Sequence, residues 1–203
     1  MDPAGSLVGV PHPSPKDESE MEIPSLVRGA VARLPLIGRG SAPSEVPTAW
    51  RLRTSGDEAL RDQLIQRSII AMGAGEVGDL TQAPSTSTLK ARLAKALPDR
   101  SASGIATLAG YWTAFRTTMA VGDVVVVVGQ GTTVGVAEVI GDYEYRKGER
   151  DKRLRHTRPV RWLTTDLSRE ELPEDLRRSI GAPGTLGRIT PPDATPRLLR
   201  AAT

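Results

Sequence analysis

The apolar positions fall into short runs with sharp boundaries. Five consecutive valines, Val124 to Val128, follow Gly122-Asp123, and Val134, Val136 and Val139 return after Gly129-Gln130-Gly131. Two β-branched runs joined by a short glycine-containing loop predict a hairpin. A run that is apolar at every position predicts a strand covered on both faces, the centre of the core. Upstream, Trp50, Leu52 and Thr54 alternate with Arg51 and Arg53, the pattern of a half-buried strand. Gly56-Asp57-Glu58 then opens a helix that carries Leu60, Leu64 and Ile65 and ends near Arg67, and Ser68 to Met72 predict a second strand. Leu89, Leu93 and Leu97 recur every fourth residue in a helix over Ser87 to Leu97, which Pro98 ends. Ile105, Leu108, Trp112, Phe115 and Met119 form one apolar stripe on a longer helix from about Ser103 to Met119. That stripe places Trp112 and Phe115 in the core, with Tyr111 and Arg116 off it. Arg158 to Leu163 predict a further strand, Ser168 to Ile180 a short helix, and Leu186 to Ile189 a last strand. Thr190 to Thr203 are expected to fray.

Residues 1–47 follow none of these periods. They hold eight of the sixteen prolines and little apolar patterning, too little to offset the entropy of ordering, so a disordered arm is expected there. Leu26 to Ile37 is its one apolar stretch, a candidate docking segment for a partner. The expected division is thus an arm over 1–47, one domain over 48–190 and a tail over 191–203, with an α+β domain of strands and helices in mixed order.

Charge adds a location for function. Arg146, Lys147, Arg150, Lys152, Arg153, Arg155, Arg158 and Arg161 face only Glu149 and Asp151, a net +6 in a chain whose total is +3. The remainder is therefore net negative. A basic edge beside a hairpin fits a surface that meets phosphate, and it fits equally a solvated loop. Arg146, Lys147, Arg150, Lys152, Arg153, Arg155 and Arg158 are the candidate phosphate ligands.

Other chemistry is thinner. With no cysteine and only His12 and His156, thiolate or histidine metal sites and a Ser-His-Asp set are not expected, nor is any cofactor. Gly73-Ala74-Gly75-Glu76-Val77-Gly78 spells GxGxxG behind a strand, but Thr81 and Pro84 follow where a nucleotide-binding helix should begin. A glycine-rich turn passing close to a neighbour or ligand is expected instead. No apolar run reaches membrane-spanning length and the first twenty residues lack a secretory pattern, so a cytoplasmic protein with no membrane partner is expected.

Several of these pieces resemble one family. Trp50-Arg51-Leu52-Arg53, then Ile69 to Leu80 with its glycine turn, the valine strand, Gly135 to Val139, Tyr143-Glu144-Tyr145 and His156 to Trp162 are similar, in order, to prokaryotic EVE/YTH-like modules of the PUA superfamily. Such modules stand at the front of McrB- and Mrr-type restriction proteins. The resemblance implies a small, strongly bent β-barrel flanked by helices. It also implies a non-catalytic reader that flips a base, often modified, out of DNA into a pocket, with RNA as the alternative substrate. A separate nuclease or NTPase effector and a role in restriction or phage defence come with it. Trp50, Gly73, Ala74, Gly75, Tyr111 and Trp162 are the implied pocket, Trp162 serving there or in the core. The family's turn reads Gly-Trp-Gly-Glu, whereas this chain has Ala74 in place of the tryptophan. Either the pocket has degenerated, leaving a binder of backbone or an adaptor for another protein, or the smaller wall admits a bulkier base modification.

Overall fold

A central strand made of nothing but valine needs a hydrophobic layer on each side, and the computed structural model supplies both. It describes residues 46–203 apart from 55, 74–76 and 83–84; positions 1–45 of the expected disordered arm, Leu26 to Ile37 included, lie outside the described residues. The elements in order are β1 (Ala49–Arg53), α1 (Glu58–Gln66), β2 (Ile69–Ala71), α2 (Thr86–Ala96), α3 (Ala102–Thr113), β3 (Val124–Val128), β4 (Thr133–Val139), β5 (Glu144–Tyr145), β6 (His156–Ser168), α4 (Glu174–Gly181), β7 (Leu186–Arg188) and α5 (Ala194–Ala201). The sheet runs β2-β6-β4-β3-β1-β7, with β5 also on β6. The fold is α+β, with the sheet curled into a half-barrel and helices packed against it.

Pairing is antiparallel except between β1 and β3, which run parallel from Ala49↔Val124 to Arg53↔Val128. The register of β4 on β6 shifts between Val134 and Ala137, and such bulges increase local twist and help a sheet curl. Thr157 of β6 pairs with Ala71 on one edge and Glu144 on the other, so β5 continues the line of β4 after a break at 140–143.

The valines alternate between two cores, as a period of two requires. Val125 and Val127 pack with Trp50, Leu52, Ile70, Leu89, Leu93, Trp112 and Phe115. Val124, Val126 and Val128 pack with Leu176, Ile180 and Leu198 of α4 and α5. Residues 191–203 are therefore not a frayed tail. Leu198 is fully buried, and this apolar contact holds a last helix too short to persist by itself.

Two other expectations change. Ser168 to Ile180 is not one helix: β6 extends to Ser168, a 3₁₀ turn spans Arg169–Glu171, and α4 begins only at Glu174. The long predicted helix is capped by Ser101, whose hydroxyl accepts from the Gly104 amide, and it widens into a π turn over Ala114–Thr118. Trp112 and Phe115 are buried, as their stripe predicts.

Buried polar groups tie the sheet's start together. The Asp123 carboxylate accepts from the Thr48 amide at 2.8 Å, Trp50 Nε1 at 2.7 Å and the Ala120 amide at 2.9 Å. Arg51, on the side of β1 expected to face solvent, is buried. Its guanidinium donates to the carbonyls of Ser179 at 3.2 Å, Ala182 at 2.5 Å and Pro183 at 2.9 Å. These lie at the C-terminal end of α4, where a helix leaves carbonyls without amide partners.

Candidate functional site

The curl brings the ends of β1 and β2 to one cleft, although the two strands are far apart in the order of the sheet. Arg53 and Thr54 line it from the end of β1, with Thr185 from the approach to β7. Ala71, Met72 and Gly73 line it from the end of β2, while Leu60 of α1 and Arg153 complete a cavity of about 360 Å³. The Arg53 amide donates to the Thr185 carbonyl at 2.8 Å, which fixes that wall.

Arg153 is held at the cleft by two carboxylates, Asp57 at 2.5 Å and Asp151 at 2.7 Å. Asp57 is also the N-cap of α1, accepting from the Leu60 amide at 3.2 Å. The Asp151 and Asp57 hydrogen bonds raise the Arg153 pKa still further, and the Arg153 hydrogen bond holds both carboxyls below their ordinary range. A second pair, Arg67 with Glu149 at 2.5 Å, ties the same loop to α1, and the Arg67 hydrogen bond lowers the Glu149 pKa. The Arg155 Nε donates to the Glu149 carbonyl at 2.9 Å and braces the loop from within.

The basic segment therefore offers less charge than its sequence suggests. Arg146 pairs with Glu144 at 3.2 Å, and Arg161 pairs with Glu138 across the strands. Arg158 corrects the expectation outright, because it is about 1% exposed and cannot reach a phosphate. Its guanidinium donates to the carbonyls of Phe115 at 3.2 Å, Met119, and Gly141 at 3.0 Å; burial lowers its pKa. Lys147, Arg150 and Lys152 are exposed, and among the described residues they have no ion-pair partner.

The expected pocket residues separate in space. Gly73 lines the cleft, and Ala74 and Gly75 lie outside the described residues. Trp50 is in the core, its indole N–H on Asp123 and its face covered by the Arg188 guanidinium, 5.3 Å from the ring centroid. Tyr111 is half-buried beside Gly184, where φ is +101° and a Cβ would come within 2.4 Å of the phenol oxygen. Trp162 is half-buried and lies across β4 at Gly135, where an added Cβ would sit 2.7 Å from the ring. Trp162 also packs against the cluster of Leu60, Leu64, Ile69 and Leu154 that includes a cleft wall. Its buried Nε1 has no partner among the described residues.

Six cleft residues were not among the candidates: Arg53, Thr54, Leu60, Ala71, Met72 and Thr185 come from four separate segments. A second group beneath the 77–80 turn was equally hidden. Tyr143 Oη lies 2.7 Å from His156 Nδ1, and the His156 ring sits 4.6 Å from Trp112 and 5.0 Å from Tyr145, centroid to centroid. Burial raises the Tyr143 pKa and keeps the phenol neutral. Past the turn α2 does not begin until Thr86, so no helix N-terminus follows the last glycine of the GxGxxG stretch.

Fold and site together define an α+β half-barrel whose strand ends open on a cleft flanked by arginine. The family described as Domain of unknown function (DUF8426) matches residues 50–179, and the chain belongs to it. No curated protein matches the chain. Among the described residues, no helix is long and apolar enough to cross a membrane.

Proposed function

We propose that this protein binds nucleic acid without acting on it chemically, taking a flipped base of DNA into the cleft between β1 and β2. The observation that carries this is the meeting of Gly73, Arg53 and Arg153 around a cavity of about 360 Å³, within the range of small-ligand pockets. Lys147, Arg150 and Lys152, in the same loop as Arg153, supply unpaired charge for flanking phosphates. The motif resemblance to EVE/YTH-like readers supports the same assignment, with a restriction or phage-defence role in which a separate nuclease or NTPase does the cutting. RNA would meet the same surface through the same contacts.

Among the described residues no aromatic side chain lines the cleft, and base–aromatic stacking is worth about 1–3 kcal/mol per base. That favours a second reading, in which the pocket has lost base selectivity and the domain serves as a protein adaptor. Titration of the full chain with plain, methylated and glucosylated oligonucleotides separates the two. A reader prefers one modified form, equal affinity for all three removes base selectivity, and no binding to any at low salt leaves the adaptor.

A further inference from the structure

A second cationic surface lies on α2 and the turn after it. Lys90, Lys95 and Arg100 are exposed and Arg92 is half-exposed. None of the four has an ion-pair partner among the described residues. Arg92 donates to the Asp79 carbonyl, which positions its side chain without neutralising it. Between Leu80 and Gly122 the sequence holds five basic residues and one acid, Asp99.

The surface stands close to the cleft, since Gly73 and Val77 are four residues apart and the chain between them spans at most about 14 Å. Gly73 lines the cleft, and Val77, Gly78 and Asp79 line an open groove of about 480 Å³ whose other wall is Arg92, Lys95 and Ala96 of α2. A strand with one base in the cleft therefore has α2 within reach of its neighbouring nucleotides. The helix is 11 residues long, about 16 Å, enough to face several successive phosphates. Asp79 is the one carboxylate lining that groove among the described residues, and its Oδ1 is occupied by the Thr81 amide at 2.8 Å.

We infer that Arg92 and Lys95, one turn apart on α2, and Arg100 beyond its end form a second phosphate-binding surface, which holds the polynucleotide backbone as it leaves the cleft; Lys90 stands on the opposite flank of the helix. This rests on the nucleic-acid reading above and adds to it a two-part grip, with Lys147, Arg150 and Lys152 as the other part. The test is fluorescence anisotropy of the full chain on single-stranded 12-mers over a salt series. Wild type is compared with Arg92→Gln/Lys95→Gln/Arg100→Gln and with Lys147→Gln/Arg150→Gln/Lys152→Gln.

Removing the α2 cations should weaken low-salt binding about tenfold and flatten the salt slope by about two units, as losing three single-strand phosphate contacts requires. Asp79→Asn should tighten binding. An α2 variant with wild-type affinity and slope, while the loop variant is weakened, overturns the second surface and leaves the nucleic-acid reading standing. Failure of the wild type to bind any oligonucleotide overturns both. Capture of anionic lipid vesicles through α2, with no response to oligonucleotides, also overturns the inference.

Discussion

The chain has two basic stretches, and their cations behave differently. The segment from Arg146 to Arg161 has eight, more than anywhere else in the sequence. Four of these are ion-paired, the buried Arg158 among them, and Arg155 braces its own loop. The stretch from Lys90 to Arg100 has only four, none of them ion-paired among the described residues. Each stretch thus leaves about the same unpaired charge at the surface. Local acids explain the difference: Glu144 and Asp151 sit two residues from Arg146 and Arg153 and meet them directly, while no acid lies between Lys90 and Pro98.

The strongest way to break this comparison is at Arg158. If it is a structural plug, Arg158→Ala leaves several buried carbonyls unsatisfied and opens a cavity, lowering stability by more than about 3 kcal/mol. The chemical-denaturation midpoint should fall with little change in slope, and a loss below about 1 kcal/mol would contradict the burial argument. Next in size is the Lys147, Arg150 and Lys152 triple replacement. It should weaken oligonucleotide binding about tenfold with a flatter salt dependence and leave the midpoint near wild type.

Arg153 sharpens the contrast further. As a cation already matched by Asp57 and Asp151, its replacement by alanine should change the salt slope by less than one unit, well below the effect of the triple. Exchange of the amides over 149–155 should nevertheless quicken, because the loop loses its tie to α1. Smallest is the pH effect on that tie. Asp57, Asp151 and Glu149 have folded pKa values below their unfolded ones. Their stabilisation is therefore complete above about pH 4–4.5 and is lost as pH falls through the folded values. Hydrogen exchange corrected for intrinsic rates should show the loop opening as pH falls below about 4; opening as pH rises from 5 to 8 would reverse the assigned sign.

Much of the secondary structure was legible because it follows local periodicity. The five valines, Trp50 and Leu52 in their alternation, and the stripe from Ile105 to Phe115 apart from the half-buried Leu108 all landed in the core. The errors came where a distant partner decides. Leu198 gives no sign in its own neighbourhood of the sheet face it covers, and Arg51 alternates like a solvent residue yet caps α4 from more than 120 positions away. The cleft was legible only at Gly73 and Arg153, since its other walls are assembled by the curl of the sheet.

By itself the sequence determined most of the strands and helices as far as β6, their apolar faces and where positive charge is dense, because these depend on residues within a turn or two of one another. Only the tertiary structure decided which cations remain unpaired, that the Trp50 indole N–H is taken by Asp123, and that the ends of β1 and β2 share a cavity. Those outcomes depend on burial and hydrogen-bond partners brought together by chain reversal, and neither composition nor spacing encodes them.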